Sequence, residues 1–132
     1  MKILALDYGK ARVGLALGDE ETRVAVGKGI LEGLSQPSLI NKIKAIVNLE
    51  QIDKILVGLP LNLQGEKTEM TEEVLLFVKK LRDNLKIPVQ TFDERFTSQM
   101  ADTLLQQIKP RQRKQDQVAA QIFLQEYLDL KK

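Results

Sequence analysis

Apolar positions recur along this chain in two rhythms, and their order predicts the architecture. Ile3 to Leu6 form a continuous apolar run of the kind found in the middle of a sheet whose two faces are both covered. Leu15 to Leu17, a Gly18-Asp19 turn, and Val24 to Ile30 predict two further strands joined by a short hairpin. Gln36-Pro37 then opens a helix in which Leu39, Ile43, Ile46 and Val47 keep helical spacing while Lys42, Lys44 and Glu50 face out. A strand over 53–57 ends at Gly58-Leu59-Pro60, and a loop runs on through Asn62 to Gly65. Thr68 caps the next helix, with Met70, Val74, Phe77, Val78, Leu81 and Leu85 three and four apart, and Pro88 closes the connection. Val89 to Phe92 make a fifth strand. Thr97 or Ser98 caps a helix carrying Met100, Leu104, Leu105 and Ile108 on one face, which stops before Pro110. The last helix begins near Asp116, turns Val118, Ala119, Ile122, Phe123 and Tyr127 inward, and ends at Leu130. Three strands, then alternating helix and strand, then two helices, predict an α/β fold: one five-stranded mixed sheet flanked by helices on both faces, in a single domain over 1–132.

Composition changes this picture mainly by what it excludes. At 132 residues, with 43% hydrophobic and 29% charged residues, the chain has the balance of a folded domain with one core. No apolar run reaches the length of a membrane span or signal peptide, so a cytoplasmic location without membrane partners is expected. There is no cysteine and no histidine. Their absence removes disulfides, thiol nucleophiles, Ser-His-Asp and Cys-His triads and most zinc sites. Any hydrolysis must rest on carboxylates, lysines, hydroxyls or hard metal ions. A net charge of +2 is too small to identify a nucleic-acid binder, so the placement of the basic residues matters more than their sum.

The acidic residues that end strands are the candidate chemistry. Asp7 interrupts the first apolar run and is flanked by Gly9 and Gly14, which suits the mouth of a cleft; it also suits a hairpin turn that meets water. Asp93 and Glu94 end the fifth strand, and Asp116 starts a helix that must pack back on the sheet, so three acidic positions can converge at strand carboxyl ends. As separate features, Asp116 complements a helix dipole and Asp93-Glu94 is a solvated strand end. Clustered carboxylates repel one another unless cations compensate, and Mg²⁺ or Mn²⁺, two ions about 4 Å apart, would both compensate them and clamp the oxygens of a phosphodiester displacement. Lys109, Arg111, Arg113 and Lys114 lie just before Asp116, as a phosphate track or as a solvated loop. Arg12 can neutralise a phosphate or pair with Asp93. Arg95 ties down its own turn, and with Lys10 is a further phosphate candidate. Asn62 and Gly65 shape one wall of the groove. No P-loop or Gly-x-Gly-x-x-Gly spacing occurs.

In order, Asp7-Tyr-Gly-Lys-Ala-Arg-Val-Gly14, Val57-Gly-Leu-Pro-Leu-Asn62 with Gly65, Asp93-Glu-Arg-Phe-Thr97, and Asp116-Gln-Val-Ala-Ala with Leu124-Gln-Glu-Tyr-Leu128 resemble the successive motifs of the YqgF/RuvX family. The resemblance spans nearly the whole chain. It implies an RNase H-like fold and a nuclease, either maturing the 5′ end of pre-16S rRNA or resolving four-way DNA junctions. The family's acidic positions fall on Asp7, on Glu94 with Asp93 beside it, and on Asp116. Gly18 stands where a serine is usual, and polar Gln115 precedes Asp116 where an apolar residue is common. The reading is a Mg²⁺- or Mn²⁺-dependent hydrolase acting on structured nucleic acid, with Asp7, Glu94 and Asp116 as ligands and Asp93 in reserve. Its partners are pre-rRNA, in a ribosomal precursor particle, or branched DNA, and its state is monomer or homodimer. A non-catalytic RNA-binding assembly factor would keep the basic link without cleavage. A phosphotransferase of the actin type also starts Asp-x-Gly, but needs a second lobe that this chain has no residues to build.

Overall fold

The computed structural model describes residues 1–62, 64–93 and 114–130, of which 114–117 are described by their backbone alone. The expected helix over 97–108 and the basic link up to Arg113 lie outside the described residues. The elements are β1 (Lys2–Tyr8), β2 (Arg12–Asp19), β3 (Val24–Glu32), α1 (Gln36–Glu50), β4 (Lys54–Leu59), α2 (Glu69–Asn84), β5 (Val89–Asp93) and α3 (Lys114–Leu130).

The five strands form one mixed sheet in the order β3-β2-β1-β4-β5. Short turns make β1, β2 and β3 antiparallel neighbours, whereas the crossovers through α1 and α2 make β1, β4 and β5 parallel. Each face has its own apolar layer. Leu4, Leu6, Val13, Leu15, Ile55 and Val57 pack with the buried faces of α1 and α2. Ile3, Ala5, Ala16, Leu56 and Phe92 pack with Ala120, Phe123, Leu124, Tyr127 and Leu128 of α3. The apolar run at Ile3 to Leu6 is continuous because alternate residues enter the two layers. The expected N-cap at Thr68 forms, as a reciprocal capping box with Thr71, and α1 is capped by Ser35, whose side chain accepts from Ser38 N.

Two expectations are corrected. Gly18 and Asp19 are not a turn; they continue β2, and the chain reverses at Glu20 to Arg23, where Arg23 holds a positive φ of 58°. The reason for glycine is helix packing, since a Cβ at Gly18 would stand 2.9 Å from Leu124 Cδ2 and 3.0 Å from Leu128 Cδ1. The inward stripe of α3 is Ala120, Phe123, Leu124, Tyr127 and Leu128 with Ile122, while Val118 and Ala119 are only half-buried. Each of the large side chains in that stripe stabilises the fold by roughly 1.5–3 kcal/mol through burial, so α3 is held by its last three turns. No helix among the described residues is long and apolar enough to cross a membrane.

Candidate functional site

Asp7 is the last but one residue of β1 and pairs across the ladder with Gly14 of β2. Along β1, Leu4 and Leu6 enter the α1/α2 layer and Ile3 and Ala5 the α3 layer, so alternation assigns Asp7 to the α3 face. On its other side β4 pairs Val57 with Leu6, which brings Gly58 level with Asp7 one step further on. Gly58 follows Leu56 by two and shares its α3-side pleat, as Gly14 shares that of Ala16. Asp7 thus has a glycine on either side within the sheet.

The direction of α3 brings a second acidic position to the same end. Leu124 and Leu128 close over Gly18, which pairs with Ile3, and the Lys54 ammonium at the start of β4 donates to Tyr127 Oη at 2.7 Å. The C-terminal end of α3 therefore lies over the beginnings of β1 and β4, and its first turn lies toward their carboxyl ends. Position 116 precedes Leu128 by twelve residues, about 18 Å of helix, and Asp7 follows Ile3 by four, about 13 Å of strand. Position 116 consequently falls near or just past the level of Asp7. Gln121 and Gln125 fix the helix against the sheet margin: Gln125 Oε1 accepts from Ala25 N at 3.0 Å and Gln121 Nε2 donates to Ala25 O at 3.3 Å.

Asp93 is placed differently. It pairs with Leu59, and since Val89 enters the α1/α2 layer and Phe92 the α3 layer, alternation assigns Asp93 to the face opposite Asp7. Glu94, Arg95, Lys109, Arg111 and Arg113 lie outside the described residues, as do the side chains of Lys114 and Asp116. Among the described residues no group of three acidic side chains gathers into a metal-holding cluster.

The turn beyond Asp7 is tightly built. Gly9 N donates to Arg12 O at 3.0 Å, and a Cβ at Gly9 would meet that same oxygen at 3.0 Å, so any side chain there would press on the turn. Lys10 is exposed and pairs with Glu73 of α2 at 3.3 Å. Arg12 opens β2 opposite Glu32. Tyr8 was not singled out by its residue type, yet it anchors this end of β1. Its ring stacks on Phe77 with centroids 4.2 Å apart, and its hydroxyl reaches Gln36 Oε1 at 3.4 Å. Burial, and then the nearby Glu73 carboxylate, raise its pKa above the ordinary tyrosine value. The position next to Asp7 was the only signal available in the sequence.

Asn62 is occupied with its own loop. Its side-chain oxygen accepts from Gln64 N at 3.0 Å and Glu66 N at 2.8 Å, and its amide donates to Glu66 Oε1. Gly65, at φ 82°, donates its N–H to Asn62 O. Thr71, fully buried, donates its hydroxyl to Pro60 O and ties the start of this loop to the first turn of α2. Asn62 and Gly65 thus form a stiff wall beyond the carboxyl end of β4.

Residues 1–130 match the RuvX family, described as Holliday junction resolvase. The chain is 37% identical to a Natranaerobius thermophilus protein over 98% of its own length and 94% of that protein, and 38% identical to a Chloroflexus aurantiacus protein over 98% and 88%. Both carry the name "Putative pre-16S rRNA nuclease". Among solved structures the fold is similar to that of T. thermophilus RuvC in complex with a Holliday junction substrate, at a TM-score of 0.66 and 13% identity, over 98% of this chain and 95% of that one. The sheet order, with helices on both faces, is thus the RNase H-like fold of those resolvases.

Proposed function

Because the chain belongs to the RuvX family, we propose that it is a hydrolase that cuts phosphodiester bonds of structured nucleic acid, with precursor 16S rRNA as its substrate, in the 132 residues of one domain. The observation that carries the reading is Asp7: a carboxylate at the carboxyl end of a central strand, flanked by two glycines, with the first turn of α3 directed toward the same end. The donor set fits hard divalent cations, since a chain without histidine or cysteine offers carboxylate oxygens and no soft ligand. Asp7, Glu94 and Asp116 are the residues that would hold Mg²⁺ or Mn²⁺, in a two-ion arrangement. When bound, such ions supply a nucleophile at neutral pH and neutralise charge on the leaving oxygen.

Asp93 is the weaker ligand candidate, because its pleat assigns it to the opposite face, whereas Glu94 has the parity of Phe92 in the sequence. Asp7 is paired with Gly14 in the β1–β2 ladder and directly follows the last β1–β4 pair, Leu6 with Val57, so its backbone is fixed before substrate arrives. Lys10 and Arg12 lie one turn beyond it and serve phosphate oxygens on either side of the scissile bond; Arg95, Lys109, Arg111, Arg113 and Lys114 extend that track. The Asn62 loop walls the groove and leaves direct contact to its neighbours.

The family description favours one second reading, cleavage of four-way DNA junctions. An assay on matched precursor RNA and four-way DNA, with Mg²⁺ or Mn²⁺ and with a chelator, separates the two. The expected result is metal-dependent cleavage of the RNA. Preferential junction cleavage would favour the second reading, and binding without cleavage of either substrate would overturn the hydrolase reading.

A further inference from the structure

An acid that the proposed chemistry does not use stands beside the β1–β2 turn. Helix α2 starts beyond the carboxyl end of β4 and runs back over the sheet, so its first turns lie at the Asp7 end. Glu73 precedes Phe77 by four residues and shares its side of the helix, one turn nearer the helix start. Phe77 is stacked on Tyr8, so the same side carries Glu73 to the turn that follows Tyr8. There Glu73 Oε1 lies 3.3 Å from Lys10 Nζ, and after burial the same carboxylate is the second cause of the raised Tyr8 pKa. Tyr8 packs against the α1/α2 layer whereas alternation turns Asp7 to the other face, so Glu73 does not join the proposed ligand set. Glu69 and Glu72 already complement the positive end of α2, and that role does not call for Glu73.

We propose that Glu73 tunes how tightly this end of the molecule holds a phosphate backbone, by occupying Lys10 in the free protein and yielding it to substrate. The inference rests on the nucleic-acid reading given above and adds a residue to it. The two partners are unequal: the Lys10 side chain is 77% exposed on a flexible stem, whereas that of Glu73 is 37% exposed on a helix, so the ammonium is the half that moves. An exposed pair of this kind is weak enough for a phosphate oxygen to replace the carboxylate at the same ammonium donors. The exchange trades one anion for another, so contact with Lys10 alone adds little affinity. A backbone is retained only where Arg12 and the groups around Asp7 engage it as well. Glu73 thereby favours substrate seated at Asp7 over nucleic acid that merely brushes the turn.

The test is the affinity of the full chain for precursor RNA in Ca²⁺ at several salt concentrations, compared among the parent, Glu73→Gln, Lys10→Gln and the double variant. Glu73→Gln should bind about two- to fivefold more tightly at low salt, with a salt slope steeper by about one unit, because the lysine then meets phosphate without first leaving an acid. Its single-turnover cleavage rate in Mg²⁺ at saturating RNA should match the parent's, and its melting temperature should stay close, since the pair is exposed. In the Lys10→Gln background most of the gain should disappear, because the effect runs through that ammonium. A gain of equal size in both backgrounds would mean that Glu73 only repels phosphate at a distance, and no gain in either would mean that Lys10 meets no phosphate. Each of these overturns the proposal, while a parent that binds and cleaves the RNA leaves the nuclease reading standing. A parent that binds no RNA overturns both.

Discussion

Tyr8 shows how a single side chain serves the candidate site without touching it. Its ring on Phe77 and its hydroxyl toward Gln36 join the end of β1 to both α2 and α1, one residue beyond Asp7. Because burial and Glu73 raise its pKa in the folded chain, the phenol holds its proton in the native state at a pH where the unfolded chain has begun to release it. The stability it contributes is fully present below the ordinary tyrosine pKa of about 10 and is lost as pH rises through the raised folded value. Tyr8→Phe should therefore melt within about 1 kcal/mol of the parent at pH 7, where only a long hydrogen bond is lost, and should lose less stability than the parent between pH 9 and 11. Parallel denaturant titrations of the two proteins check this, and equal losses would show that the phenol titrates alike in the folded and unfolded states.

At the scale of elements, the loop from Pro60 to Lys67 and the start of α2 act as one unit. Thr71 donates to Pro60 O and accepts from Thr68 N at 2.9 Å while fully buried. Thr71→Val keeps the shape and removes both bonds, leaving a part-buried carbonyl and a helix-start N–H without this partner; the expected cost is about 1–3 kcal/mol, or roughly 3–12 °C in melting temperature. Thr71→Ser should recover most of it. The strands and helices with clear periodicity were legible in the sequence, because apolar spacing is a local property. Thr68 was legible as a cap for the same reason. Thr71 was not, since its partner lies eleven residues away across a loop. Gly18 was misread as a turn because glycine's local meaning is flexibility, whereas its role here is to admit Leu124 and Leu128 from the other end of the chain. In α3, helical periodicity marks one face, but only the sheet decides that Ala120, Leu124 and Leu128, and not Val118 and Ala119, lie at its centre.

For the molecule as a whole, the candidate site was legible as a set of acidic positions at strand ends, and the sheet order explains why: β1 and β5, which carry Asp7 and Asp93, are parallel to β4 and separated by it alone. Which pleat Asp93 occupies was not legible, since only the packing of Val89 and Phe92 assigns it to the face away from α3. The central claim is that Asp7 does chemistry and is not part of the scaffold. It is tested most directly by the single-turnover cleavage rate of Asp7→Asn on precursor RNA in Mg²⁺, measured beside its melting temperature and its affinity for the same RNA in Ca²⁺. The account predicts a rate at least a thousandfold lower, about 4 kcal/mol of lost transition-state stabilisation, with a melting temperature equal to or above the parent's, because removing one acid relieves repulsion, and with affinity little changed. A rate near the parent's, or a loss of activity matched by a collapse in melting temperature, would contradict it.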